Sequence, residues 1–277
     1  MENDFDSDWL ELRYEADAKA RKGMIGKIIE KPEARGTISV LDLGAGTGNN
    51  ALFLIPELIN SGIKNQSWLL IDRDADLLNI ARKKLDNRKS DFEDSVIGTD
   101  ILVADLTENL EKIPFRDADL VVSSALFDLV SKEWIERFVE RISKSRVKQV
   151  LISLTVDGRI EWSPEHPLDP SISDLFKKDM RRDKGFGPAL GKDASEVLKQ
   201  SLVTSGYDVT EFDTAWRIGP DQKKLQKRYM EDMISAVLNC NDDQESINDW
   251  RDNRMALIES GECQLLVGHT DIYAILK

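Results

Sequence analysis

Residues 40–50 read VLDLGAGTGNN, and this stretch decides the fold. A run of apolar residues meets one acid, Asp42, and three glycines follow at alternate positions, Gly44, Gly46 and Gly48. Glycine has no Cβ atom, so the backbone can turn sharply there and a ligand can approach it closely. An apolar strand that runs through a glycine turn into a helix is typical of the first βα unit of a doubly wound α/β sheet.

The rest of the chain continues this alternation of apolar runs and helical patterns, less regularly in its second half. The predicted strands are 37–44, 67–72, 100–105, 119–124, 149–156, 207–217 and 263–277, and the predicted helices are 49–61, 75–85, 131–142, 193–205, 221–238 and 244–259. Near-continuous apolar strands joined by crossover helices form a parallel sheet that is buried on both faces. The sequence therefore predicts a Rossmann-like, doubly wound α/β fold with helices on both faces of the sheet.

Composition narrows the classes of function. The 277 residues carry 38 basic and 51 acidic side chains, a net charge of −13, and such a surface repels the phosphate backbone of nucleic acids. We therefore expect a small-molecule partner and no nucleic acid. This sequence contains no apolar stretch of the roughly 18 residues that span a bilayer, and it contains no signal-peptide pattern. Cys240 and Cys263 show no metal-ligand spacing, so we expect reduced thiols, no metal, no membrane partner and a cytoplasmic location.

Two kinds of ligand suit the glycine turn. The dinucleotide fingerprint G-x-G-x-x-G requires a glycine at position 49, where the chain has Asn49, and Asp42 would then face a pyrophosphate dianion. S-adenosylmethionine has no phosphate and carries a sulfonium and an α-ammonium group, which a carboxylate attracts. A plain tight turn without a ligand is the third interpretation.

The stretch VLDLGAGTGNN resembles the first motif of the class I S-adenosylmethionine-dependent methyltransferases. The resemblance covers residues 37–155 and implies that Asp42 and the backbone of Gly44, Ala45 and Gly46 hold the methionine portion of the cofactor. With the strands above, it implies a mostly parallel, seven-stranded sheet whose last strand is antiparallel.

Acids at the ends of the next two strands extend the resemblance. Asp72 follows LLI, where a carboxylate can accept both ribose hydroxyl protons, although a helix cap explains it as well. The resemblance implies this role for Asp72, with Arg73 alongside the adenine. It also implies that Asp105 accepts from the adenine amino group and that the Leu106 amide meets a ring nitrogen.

The fourth strand leads into VVSSALFDLVS, which resembles the fourth motif of the same family. An acid–histidine pair is often found there. This chain has Asp128 at the acid position and Leu129 at the histidine position, so Asp128 is a candidate for substrate contact and catalysis. Ser123 and Ser124 are expected to line the cofactor. The missing histidine leaves open a catalytically inactive, methyltransferase-like partner subunit.

The N-terminal helix places Arg13, Asp17 and Arg21 on one face, at i, i+4 and i+8. A solvated ladder of ion pairs explains this spacing. The alternative is a lid whose arginines, Arg13 and Arg21, bind the cofactor carboxylate.

Candidates for the acceptor lie in the irregular stretch 158–191. Trp162 could stack on a flat acceptor and His166 could act as a base, although a loop anchor and an exposed loop histidine explain them equally well. Six basic residues against two acids give 177–192 a net charge of +4, which favours an anionic acceptor bound by Arg182 and Lys184. A solvated helix face is the competing explanation.

The sequence thus predicts one methyltransferase domain over residues 1–277. Its parts are a lid helix in 1–30, a cofactor-binding core in 37–156, and insertions at 158–191 and 220–260 that form the acceptor pocket. The expected reaction moves a methyl group from S-adenosylmethionine to a small molecule that is anionic or contains a ring. A nicotinamide-dependent Rossmann oxidoreductase is the alternative enzyme.

Overall fold

The computed structural model describes residues 7–23, 29, 36–92, 94–238 and 244–277, so Cys240 lies outside the described residues. The strands are β1 (Thr37–Leu43), β2 (Asn65–Asp72), β3 (Val96–Val103), β4 (Leu120–Ser124), β5 (Gln149–Ser163), β6 (Tyr207–Asp213), β7 (Trp216–Ile218) and β8 (Gln264–Leu276). The helices are α1 (Ser7–Arg21), α2 (Asn49–Asn60), α3 (Ala75–Arg88), α4 (Lys132–Lys144), α5 (Asp169–Met180), α6 (Ala194–Thr204), α7 (Lys223–Leu238) and α8 (Gln244–Ser260).

The strands join one sheet in the order β3-β2-β1-β4-β5-β8-β6, with β7 also paired to β8. Neighbouring strands from β3 to β5 are parallel, and β8 is antiparallel to β5 and β6. The prediction of a doubly wound, mostly parallel sheet with an antiparallel last strand is confirmed. The strand order reverses between β1 and β4, and ligands of such sheets bind beside that point, at the carboxyl ends of the strands.

Within the part of the chain that the structure describes, the sheet has eight strands and not seven, because the strand predicted over 207–217 is interrupted. β6 and β7 pair with β8 in the same register on either side of Thr214 and Ala215. The Ala215 N–H donates to the Asp213 carboxylate at 3.0 Å, so this N–H does not join the regular hydrogen bonds between the strands.

Strand β5 is longer than predicted, so the excursion expected from residue 158 begins only after Ser163. The register against β8 shifts between Ile152 and Thr155, and again between Val156 and Ile160. These are β-bulges, which break the local periodicity that sequence patterns depend on. Gly158, at φ +88°, lies in the second bulge.

Helices cover both faces of the sheet because strand side chains alternate in direction. Leu41 and Leu43 of β1 belong to the apolar cluster that contains α4 and α6, whereas Ile38 and Val40 belong to the cluster that contains α2 and α3. Ser131 caps α4, its hydroxyl accepting from the Trp134 N–H at 3.2 Å.

A third apolar cluster lies beyond the part of the sheet that β1 to β4 form. It joins the far end of β5 and part of β8 to β7, α5, α7 and α8; among its members are Trp162, Ile172, Trp216, Met230, Met233 and Trp250. The insertion at 220–260 therefore builds apolar core with its described residues. No helix in the described ranges is long and apolar enough to cross a bilayer.

The close approach of α2 to α3 gives a stability prediction. Gly48 precedes α2 at φ +79°, and a Cβ added there would lie 2.9 Å from the Ala81 Cβ on α3. Gly48→Ala should combine left-handed strain with overpacking and lower the free energy of unfolding by about 2–4 kcal/mol in urea denaturation. Gly206→Ala is the matched control, because Gly206 has φ +90° but open space around its Cβ. Equal losses in both variants would contradict the packing argument.

Candidate cofactor site

A cavity lies at the carboxyl ends of β1 to β4, beside the point where the strand order reverses. Its walls come from the loops after these strands, from α1 and the start of α2, and from the segment before α6. The residues that line it include Leu10, Arg13, Tyr14, Asp17, Arg21, Gly44, Ala45, Gly46, Asn49, Asn50, Phe53, Asp72, Arg73, Asp105, Leu106, Ser124, Leu126, Leu129, Lys184 and Phe186.

The glycine turn after β1 forms a narrow cradle. Gly44 and Gly46 have φ values of +68° and +52°, where side chains are disfavoured. The amide N–H groups of Gly44 and Ala45 both donate to the Ile71 carbonyl, at 2.8 and 3.0 Å. A Cβ at Gly46 would lie 3.1 Å from Leu10 of α1, so a side chain would crowd the space against that helix.

Asp72 is fixed at the end of β2 by two backbone amides. The Gly46 N–H donates to its Oδ2 at 2.8 Å, and the Asp74 N–H donates to its Oδ1 at 3.0 Å. A carboxylate oxygen accepts more than one hydrogen bond, so Asp72 keeps acceptor capacity toward the cavity. The predicted helix cap and the predicted ligand contact are therefore compatible.

Asp105 and Leu106 continue this wall after β3. The Asp105 Oδ1 accepts from the Thr107 N–H at 2.8 Å, and the Leu106 carbonyl accepts from the Trp134 indole at 2.8 Å. These bonds hold the loop while both residues, with Arg73, line the cavity.

Asp42 is fully buried and does not line the cavity. The Asn50 side-chain N–H donates to its Oδ1 at 2.8 Å, and Asn50 lines the cavity in its place. Burial raises the pKa of Asp42 to about 7, and the hydrogen bond from Asn50 and the charge of Arg21 limit the rise. The structure therefore puts Asn50 where direct contact by Asp42 was expected. Asn50 follows the last glycine of the motif by two positions, and that spacing is the signal that was missed.

Arg21 connects the lid helix to the sheet. Its Nη1 donates to the Asn50 Oδ1 at 3.0 Å, and its Nε lies 3.4 Å from the Asp271 Oδ2 on β8. Its Nη2 has no hydrogen-bond partner among the described residues, although the side chain is 2% exposed and lines the cavity. A buried N–H of this kind can bind an anionic group of a ligand.

Arg13 is buried in the same wall and is not part of a solvated ladder. Its guanidinium pairs with Asp17 at 2.9 Å and lies 5.1 Å from the Trp216 ring. The Trp216 indole N–H donates to the Asp17 Oδ1 at 3.0 Å, and its ring lies 4.9 Å from that of His269. Burial lowers the pKa of His269 to about 3, so this imidazole is neutral.

The loop after β4 supplies an apolar wall. Ser123 is fully buried and donates to the Leu43 carbonyl at 2.8 Å, so Ser124 lines the cavity instead. Ala125 has φ +54°, an uncommon conformation for a residue with a side chain. Leu126 and Leu129 follow in the wall, and Phe186 and Lys184 from the segment before α6 complete it.

Asp128 lies between these two leucines in the chain and is 6% exposed. Its Oδ1 has no hydrogen-bond partner among the residues that the structure describes. Burial raises the pKa of Asp128 to about 6, and the charges of Arg13 and Lys184 oppose the rise. Two of the cations in the cavity wall, Arg13 and Lys184, thus act on Asp128, although Asp128 does not itself line the cavity.

Three other predicted residues do not reach this cavity. Trp162 is buried with its ring 5.8 Å from that of Trp250. His166 accepts the Leu168 N–H on its Nδ1 at 3.2 Å, ahead of α5. Arg182 is exposed and pairs with Asp179. Lys184 is thus the predicted acceptor residue that the structure brings to the site.

Comparison with known proteins gives the class of the fold and a family model that matches part of the chain. Residues 40–147 match the model of a methyltransferase domain family. No significant match was found among curated protein sequences. A cyclopropane-fatty-acyl-phospholipid synthase-like protein from Lactobacillus casei ATCC 334 has a similar structure, with a TM-score of 0.55 at 13% identity over 95% of this chain and 92% of that one.

A mycolic acid cyclopropane synthase complexed with SAH and CTAB gives a TM-score of 0.47 at 13% identity, over 92% of this chain and 83% of the other. The similarity to the Lactobacillus casei protein, at a TM-score of 0.55, shows that the chain has a Rossmann-like methyltransferase fold. Residues 40–147 carry its methyltransferase domain, and S-adenosylmethionine is the cofactor that the match indicates.

The buried Asp42 makes a pH-dependent prediction. Its pKa in the folded state is above the ordinary value near 4, so folding favours the protonated form and stability falls as pH rises from about 4 through about 7. One such group contributes at most about 1.4 kcal/mol per pH unit. Asp42→Asn removes this titrating group. The difference in unfolding free energy, variant minus wild type, should therefore increase from pH 5 to pH 8 when it is measured by urea denaturation. Asp100→Asn, an exposed acid on β3, is the control, and parallel pH curves for Asp42→Asn and wild type would refute the prediction.

Proposed function

We propose that the chain transfers the methyl group of S-adenosylmethionine to a small-molecule acceptor that carries an anionic group. One observation supports this most: the cavity has fixed acids suited to the cofactor at one end, and an apolar wall with the Lys184 ammonium at the other. Most of its walls come from the ends of adjacent strands, which is where this fold places its ligands.

The residues present suit the cofactor. Asp72 has acceptor capacity for ribose hydroxyls, and Asp105 and the Leu106 amide would hold the adenine, with Arg73 beside it. The unpartnered Nη2 of Arg21 would hold the carboxylate of the methionine portion. The narrow glycine turn leaves room for a ligand only because no Cβ occupies it.

In this arrangement Asp42 acts indirectly, through Asn50. It orients the Asn50 amide, and its negative charge favours a cation nearby. A cationic ligand in turn lowers the cost of ionising Asp42, because opposite charges stabilise the charged form of each other. This answers why an acid lies behind a turn that otherwise suits an anion.

When bound, the cofactor supplies a methyl group that its sulfonium already activates. The chain has to align the acceptor and exclude water. Leu126, Leu129 and Phe186 provide an apolar surface for this purpose, and α1 closes the opposite side.

Asp128 is our candidate for proton removal. Asp128 is buried and does not line the cavity, so its unpartnered Oδ1 would take a proton from a hydroxyl acceptor only after the loop after β4 opens. A neutral amine acceptor needs no strong base. Leu129 replaces the histidine that often follows this acid in the family, so Asp128 would act without that partner.

The cofactor part of the proposal predicts a ligand preference. Calorimetric titration should show binding of S-adenosylhomocysteine and none of NAD. Asp72→Asn should weaken S-adenosylhomocysteine binding about tenfold or more, because one charge-assisted acceptor is lost. Asp100→Asn, an exposed acid on β3, should leave the affinity unchanged. NAD binding in place of S-adenosylhomocysteine would point to the oxidoreductase alternative.

The acceptor part predicts a charge preference. A panel of aromatic carboxylates paired with their amides would be screened for S-adenosylhomocysteine release. We expect turnover of carboxylates in preference to amides, and Lys184→Gln should reduce that preference about tenfold by removing one charge-assisted contact. The affinity of the Lys184→Gln variant for S-adenosylhomocysteine should stay the same. Both readouts should also be unchanged in Lys199→Gln, which alters a half-buried lysine on α6. Equal turnover of carboxylates and amides by wild type would refute the anionic acceptor, and cofactor binding without any turnover would favour the inactive subunit.

A further inference from the structure

A second cavity, of about 280 Å³, shares the segment between α5 and α6 with the cofactor site. Lys184 and Phe186 of this segment line the first cavity, whereas Arg181 and Lys192 line the second. The other walls come from the bulged part of β5 and from α5. Tyr229 of α7 and two residues of β8, Val267 and Gly268, complete them.

The charge of this second cavity is opposite to that of the chain. Its lining contains one acid, Asp174, and five basic side chains, Arg159, Lys177, Lys178, Arg181 and Lys192. In a chain of net charge −13, such a concentration of basic groups around one concavity produces a local positive potential.

Three of the five cations are already paired. Arg159 binds Asp157 and Asp213, with Nη distances of 2.5 and 3.1 Å, Lys177 pairs with Asp174 at 2.7 Å, and Arg181 pairs with Asp193.

Lys178 and Lys192 form no ion pair with any residue in the described ranges. Two ammonium groups are thus left for a ligand, enough to neutralise an anion of charge −2.

The β5 bulge shapes the floor of this cavity. Residues 157–159 stand opposite Gly268 of β8, and a Cβ on Gly268 would lie 2.0 Å from the Asp157 Oδ1. A Cβ on Gly158 would lie 3.0 Å from the Lys192 side chain. The two glycines therefore let the bulge fold tightly against Lys192, and bulges often re-aim side chains in this way beside functional sites.

The remaining lining suits a ligand with hydrogen-bond acceptors. Val156, Ile160 and Val267 give an apolar floor, whereas Lys178 and Lys192 are exposed. Tyr229 is 9% exposed, and burial raises the pKa of its phenol, so the hydroxyl keeps its proton and can donate.

We propose that this cavity binds a small oxyanion, the phosphate or carboxylate group of a metabolite, between Lys178 and Lys192. The ligand is held by charge-assisted contacts from these two ammonium groups, because Arg159 and Arg181 are neutralised by their own carboxylate partners. This site is distinct from the cofactor cavity and does not depend on the proposed reaction.

The test is calorimetric titration of the full chain with inorganic phosphate and, separately, with citrate, at low ionic strength and in saturating S-adenosylhomocysteine. We expect one saturable site per chain for at least one probe. The double variant Lys178→Gln/Lys192→Gln should bind about tenfold or more weakly, because two charge-assisted contacts are lost. Lys132→Gln/Lys144→Gln, an equal charge change on exposed α4 residues, should bind like wild type.

Each result of these titrations either supports or overturns the proposal. Binding of phosphate alone identifies a phosphate ligand, and binding of citrate alone identifies a carboxylate ligand. Failure of both probes to bind wild type overturns the proposal. Equal weakening in the two double variants also overturns it, because it shows general charge attraction. The proposal fails as well if S-adenosylhomocysteine displaces the anion, because the anion then occupies the cofactor cavity.

Discussion

The buried guanidinium of Arg21 is the constraint on which the site depends. It contacts Asn50 on α2 and Asp271 on β8, and Asn50 in turn holds Asp42 of β1. Removing a guanidinium from water costs several kcal/mol, which the buried carboxylates offset. Losing one partner would leave an uncompensated charge, typically at about 3–5 kcal/mol. The lid helix, the helix after the glycine turn and the last strand are thus held together by one polar network.

That network also fixes the irregular half of the sheet. The Asp271 Oδ1 accepts from the Leu154 N–H at 2.7 Å and from the Thr214 hydroxyl at 2.6 Å. Leu154 has φ +55° at the first bulge of β5, a strained conformation for a residue with a side chain. One carboxylate therefore stabilises a bulge, the join between β6 and β7, and the lid helix. The antiparallel last strand is in this way coupled to the site through Arg21, although no residue of β8 lines the cavity.

Sequence patterns predicted the fold and the acids at the strand ends, because apolar strands and glycine turns are local signals. They failed where burial decides the outcome. Asp42 was expected at the ligand and lies behind Asn50, since a sequence motif does not show which of two polar side chains faces a cavity. Trp162 was expected to stack on an acceptor and packs in an apolar cluster built by a distant insertion. The bulges of β5 hid its full length, because pairing with β8 and not periodicity extends it past Gly158.

The basic stretch 177–192 shows how one sequence signal can serve two places. From the sequence, its basic residues were interpreted as one anion-binding feature. In the structure, the basic side chains of α5 and of the segment after it line two different cavities. Lys184 is directed to the cofactor side, and Lys178 and Lys192 to the other. The same segment carries Phe186, so its position affects the acceptor wall from one side and the second cavity from the other. In this fold the strand ends form most of the wall of the cofactor site, whereas the segment between α5 and α6 lines both cavities.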